Sequence, residues 1–155
     1  MQLVDMTPNK LSFKVTTDAA GIQVFIPCID GSSLDELVTI FETENGYTDP
    51  AGGYGGLTPQ FYQFGVLRSY FFGRGDSPVS STSNPIAVLA CECGEVGCWP
   101  LSCRVDSNQK TVEWTDFSQP FRESRDYSGF GPFLFEKRQY ENALRQLLTT
   151  LDPDA

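Results

Sequence analysis

The chain has 155 residues, 40% apolar and 13% aromatic, with 11 basic against 20 acidic side chains and a net charge of −9. One domain over 1–155 with a true core is expected, since a chain of this size buries about two-thirds of its unfolded surface. The charge disfavours nucleic acid and anionic membranes and either serves solubility alone or favours a protein partner with a basic face, while the absence of histidine removes Ser-His-Asp, Cys-His and imidazole-held zinc chemistry.

Residues 1–10 hold no apolar run, and no stretch approaches the roughly 20 apolar residues that span a bilayer, so a cytoplasmic location is expected. Leu11, Phe13 and Val15 alternate with Ser12, Lys14 and Thr16, the pattern of a half-buried strand. Ile22 to Ile29 reads as its hairpin partner. Ser33 precedes Glu36 by three residues, a capping-box spacing. Leu34, Leu37, Val38 and Phe41 then recur at helical intervals, and Gly46 supplies a stop, which predicts a helix over 34–45.

Residues 47–57 read as a mobile loop over a site, with Tyr47 and Tyr54 as contact residues. The run Gly52 to Gly56 lacks the lysine and the strand-to-helix setting of a phosphate loop. Thr58-Pro59 opens a second expected helix to about Phe72 along Phe61, Phe64, Leu67 and Phe71. Tyr62, Tyr70 and Phe72 fall off that stripe and are read either as facing a groove or partner or as buried by neighbouring loops. Residues 73–84 form a polar linker, in which Arg74-Gly75-Asp76 is a chance tripeptide.

Ile86 to Cys93 is a nearly continuous apolar run, as in a strand buried on both faces. Four-residue turns at 94–97 and 107–110 would join it to strands over 98–106 and 111–117. That register sets Val88 opposite Cys103, Ala90 opposite Leu101, Arg104 opposite Glu113 and Cys103 opposite Trp114. It also gathers Ile86, Val88, Ala90, Leu101, Cys103, Val105, Val112 and Trp114 on one core face. After the short apolar segment Phe133–Phe135, Tyr140, Ala143, Leu144, Leu147, Leu148 and Leu151 mark a helix over 136–151. Lys137, Glu141 and Arg145 are spaced as i,i+4 pairs on its outer side. The elements predict an α+β fold: an antiparallel sheet of about five strands, the N-terminal hairpin plus a three-strand meander, with helices mainly on one face.

Two regions carry candidate chemistry. Five cysteines, an odd number, do not form a secreted disulfide framework, yet four lie between Cys91 and Cys103. The register separates Cys103, on the core face, from Cys91, Cys93 and Cys98 at a hairpin tip. Three readings compete there. The thiols are small apolar packing groups, or they hold zinc with a fourth ligand from Cys28, Glu92, Glu95 or water, or Cys93 and Cys98 form a redox pair. In the loop after the meander, Gln119, Arg122, Arg125 and Tyr127 could clamp an anion, unless Glu123 and Asp126 neutralise the arginines. Trp99, Tyr47 and Tyr54 complete the candidate binding set, and no catalytic residue is assigned.

The segments Cys93-Gly-Glu-Val-Gly-Cys98-Trp-Pro-Leu101, Trp114-x-x-Phe117-x-Gln119-Pro120 and Phe130-Gly-Pro-Phe133, with Tyr140 and Ala143-Leu144, resemble a family of uncharacterised bacterial proteins. The resemblance covers about 88–148 and implies a bacterial, intracellular protein, with no activity, cofactor or catalytic residue attached. The function expected from the residues is that of a small acidic, non-enzymatic interaction module. The alternatives are a zinc- or thiol-dependent protein, enzymatic or not, centred on Cys91, Cys93 and Cys98, and an acidic immunity or inhibitor protein for a basic toxin.

Overall fold

A computed structural model describes residues 8–17, 19–48, 51–58, 67–74, 84–91 and 100–151, with Cys91 described by its backbone alone. The alternating N-terminal segments form strands β1 (Leu11–Thr17) and β2 (Gln23–Ile29), paired antiparallel from Leu11↔Ile29 to Thr17↔Gln23. The chain then reverses at Asp30-Gly31, both at positive φ (54° and 88°). That conformation matches the twist of a tight hairpin and suits Asp-Gly. It returns as the short β3 (Ser32–Ser33) on Cys28 and Ile29, a strand that periodicity cannot reveal in two residues.

Helix α1 (Leu34–Glu44) follows, its Ser33 Oγ hydrogen-bonded to Glu36 Oε1 at 2.8 Å rather than to a backbone N–H. It ends as expected at Gly46, whose φ of 78° lets the Gly46 N–H reach Thr43 O and the Tyr47 N–H reach Glu42 O. These two bonds satisfy the last carbonyls and fix where Tyr47 leaves the helix.

The second sheet is antiparallel, in the order β4-β5-β6-β7-β8. Its strands are β4 (Tyr54–Gly55), β5 (Ile86–Cys91), β6 (Leu101–Ser107), β7 (Thr111–Ser118) and β8 (Phe133–Glu136). The α+β antiparallel architecture therefore holds, with the strands divided between two sheets: the hairpin gains β3, and the meander gains an edge strand on each side. Residues 51–58 are tied into both sheets rather than forming an open loop. Tyr54 and Gly55 pair with Cys91 and Ala90, while Leu57 exchanges both backbone hydrogen bonds with Phe25 of β2 at 2.9 Å. Gly56 passes so close to β2 that a Cβ there would lie 2.5 Å from the Phe25 carbonyl oxygen.

The meander register differs from the one expected. Ile86, not Val88, faces Cys103, and Leu89, not Ala90, faces Leu101, across an irregularity between Ala87 and Leu89. On the other side Val105 faces Trp114 and Arg104 faces Thr115, so the Arg104–Glu113 and Cys103–Trp114 pairs do not form. Arg104 instead meets Asp106 on its own strand. The cause is the turn: Asn108 Oδ1 accepts the N–H groups of Lys110 and Thr111, and the Asn108 N–H bonds Thr111 O, so the chain reverses two residues later in the pairing. Between β6 and β7 the shift is two, which preserves which face each residue occupies. Ile86, Val88, Ala90, Leu101, Cys103, Val105, Val112 and Trp114 are all buried, and Ala87 and Leu89 between them are buried too, as expected of a β5 covered on both faces.

Of the span expected as a second helix, residues 67–70 form α2 (Leu67–Tyr70); the expectations for Phe61, Tyr62 and Phe64 and for the linker at 75–83 lie outside the described residues. Tyr70 and Phe72 are buried, the second of the two readings of these aromatics, and not part of an exposed surface. Tyr70 Oη bonds Ala87 O at 2.6 Å, and the ring of Phe72 packs on Tyr140. Helix α3 (Lys137–Leu151) buries Tyr140, Ala143, Leu144 and Leu147 and leaves Leu148 partly exposed. Its Glu141 pairs with Arg68 of α2 at 2.6 Å, and Arg145 turns to Asn142. Among the described residues no helix is long and apolar enough to cross a membrane.

Candidate functional site

Position 42 is the centre of a polar cluster inside the core. Leu34, Val38 and Glu42 are spaced by one helical turn each and all are buried, so the apolar stripe of α1 ends on a carboxylate. A buried charge must be hydrogen-bonded or paired. Glu42 Oε1 accepts the Gly52 N–H at 2.7 Å, and Oε2 accepts the hydroxyls of Tyr54 and Tyr127, each at 2.5 Å. Arg125 Nη1 lies 3.3 Å from Oε2, with its side chain 8% exposed. Gln119 Nε2 donates to the Tyr54 hydroxyl, leaving Gln119 Oε1 with no donor among the described residues.

Each donor has a local reason to be there. Gly52 and Gly53, both near φ 80°, turn the chain so that an N–H points at the carboxylate and β4 can begin. Gln119 is brought inward by a bulge in β7. Asp116 takes a positive φ of 52°, and the register jumps between Arg104↔Thr115 and Ser102↔Ser118. Alternation buries Val112 and Trp114 before the extra residue, and Phe117 and Gln119 after it. Consecutive turns, Arg122 N–H to Gln119 O and Arg125 N–H to Arg122 O, then bend the loop back over α1.

Tyr47 joins from the outside. Its hydroxyl accepts the Asp126 N–H at 2.8 Å, and the Arg125 guanidinium lies over its ring, 5.4 Å from the centroid. Phe41 packs on Tyr127 and Phe130 beneath. Burial alone would lower the Arg125 pKa, but the Tyr127 hydrogen bond and the Glu42 charge outweigh it and hold the guanidinium above its ordinary value. Burial, reinforced by the bond to Glu42, pushes the Tyr54 and Tyr127 hydroxyls up as well. The cluster is a charge-compensated hub and not an exposed acid or base.

Above it opens a hollow of about 600 Å³ walled by residues 46–48 and 121–125. Phe121 stands on its wall 57% exposed. Five of the candidate binding residues, Tyr47, Tyr54, Gln119, Arg125 and Tyr127, thus meet around Glu42, and Arg122 lines the adjoining hollow. Glu42 and Phe121 were missed by sequence reasoning. An acidic residue on the apolar stripe of α1 was the available signal for the first; a single loop phenylalanine gives none.

Trp99, Cys93, Cys98 and the side chain of Cys91 lie outside the described residues. Cys103 is fully buried on the core face, and burial raises its thiol pKa well above the usual value. Cys28 is half-buried on β2, and burial raises its thiol pKa too. Among the described residues no group of three or more Cys, Asp or Glu side chains is placed to hold a metal ion. No family model, curated protein or solved structure matches the chain.

Proposed function

We propose that this protein is a small acidic interaction module that docks a protein partner at the face formed by the end of α1 and the loop after β7. One observation carries the reading: Glu42, Tyr54, Tyr127 and Arg125 hold one another in a buried hub, and beside it Phe121 stands exposed on the wall of an open hollow. A hub of this kind rigidifies two loops, which lowers the entropy lost when a partner binds them. The net charge of −9 favours a partner with a basic face around the contact, as in the inhibitor variant of the same idea.

The test is affinity capture with the wild type and Phe121→Asp side by side. One basic protein, retained at one-to-one stoichiometry by the wild type and lost by the variant, is the expected result. Equal capture by both, no capture, or turnover by the purified protein alone overturns the proposal. Elemental analysis of reduced, chelator-free protein separates the alternative: one zinc per chain, lost in Cys93→Ser, would move the function to Cys91, Cys93 and Cys98.

A further inference from the structure

The geometry points to the 600 Å³ hollow beside Tyr47 as an oxyanion-binding site, taking a carboxylate or phosphate borne on a small aromatic body. This rests on reading the face as a binding surface, and it names the chemical group the face recognises. The chain has only 11 cationic side chains, yet Arg122 and Arg125 both line this one hollow. The opposing charges are differently placed. Glu123 and Asp126 are exposed and screened by solvent, while Glu42 is sealed below, its oxygens occupied by Gly52, Tyr54 and Tyr127.

Arg125 is already oriented. Glu42 and the Tyr127 hydroxyl hold one of its nitrogens, and the Tyr47 ring supports its plane. A guanidinium fixed in this way loses little freedom when it meets an oxyanion, and its planar fork suits two oxygens at once. Thr48 and Ser124 line the same hollow, and their hydroxyls are neutral donors within its wall residues. Its volume falls within the range of small-ligand sites. Phe121, exposed on the wall, supplies the apolar surface for the body that carries the anion.

Phenyl phosphate, benzoate and inorganic phosphate, each titrated at constant ionic strength against a sodium chloride control, test this through backbone amide shifts at 46–48 and 121–125. Saturable shifts are expected with all three, and the two aromatic probes are expected to bind more tightly than phosphate. Arg122→Gln should weaken phenyl phosphate about tenfold or more, the loss of one charge-assisted hydrogen bond. Phe121→Ala should remove only the advantage of the aromatic probes. If Arg122→Gln fails to fold, Ser124→Asp, a change at an exposed loop position, places a repelling carboxylate in the hollow and should give the same loss. Shifts that track sodium chloride, or binding undiminished in whichever of these variants folds, overturn the inference. A silent titration alongside successful partner capture removes this site and leaves the docking reading standing; saturable binding with no partner captured does the reverse.

Discussion

Two buried polar groupings sit in this core and solve the same problem differently. In one, Trp114 Nε1–H donates to the Tyr140 hydroxyl at 2.9 Å, which donates to Phe71 O at 2.5 Å; every group is neutral and each donor has one acceptor. In the other, a carboxylate gathers a backbone N–H, two hydroxyls and a guanidinium. The neutral relay can lose a link and strand only that link's partners. The ionic hub stands or falls as a unit, because removing any opposite charge leaves the other in a low-dielectric site.

The sharpest way to break this contrast is a double-mutant cycle at the hub, measured by urea denaturation. Arg125→Met and Glu42→Met are each expected to cost about 3–5 kcal/mol, because each leaves a buried charge without its partner. The double variant should cost clearly less than the sum. Simple additivity would make the hub a set of independent contacts.

At the relay, Tyr140→Phe is expected to cost about 1–3 kcal/mol, the penalty of stranding the Trp114 N–H and the Phe71 carbonyl. A loss as large as that at Arg125 would erase the distinction between the two groupings.

Alkaline titration gives the smallest effect per group and reads both at once. Tyr54, Tyr127, Tyr70 and Tyr140 all have hydroxyl pKa values raised above the ordinary value of 10, by burial first. The unfolded chain therefore releases these protons before the folded one does. Stability should begin to fall near pH 9, where the unfolded thiols of Cys103 and Cys28 ionise first, and decline further above pH 10 by about 1.4 kcal/mol per pH unit for each tyrosine still protonated in the fold. Tyr54→Phe and Tyr140→Phe should each remove one proton from that slope; an unchanged slope would contradict the raised values.

Much of this architecture was legible from residue pattern alone, and what was not has identifiable causes. The hairpin, α1, the meander's core face and α3 rest on periodicity, which burial enforces over many residues. Strands β3 and β4 are two residues each, too short to carry a period. The register was lost at Asn108, where one side-chain oxygen closes the turn, and at the bulges, which alternation can flag but not place. At the candidate site, tyrosines and arginines in loops drew notice by type. Their convergence did not, since it depends on Glu42, 10 residues before Gly52 and 85 before Tyr127.

The short crossing at 55–57 has a wider consequence. Within three residues the chain pairs first with β5 at Ala90 and then hydrogen-bonds Phe25, with a glycine between them where a Cβ would clash with the Phe25 carbonyl. The crossing works as a rivet: neither β-layer can swing away from the other without tearing main-chain bonds. Melting of the two layers is thereby tied into one cooperative event, though their strands are far apart along the chain.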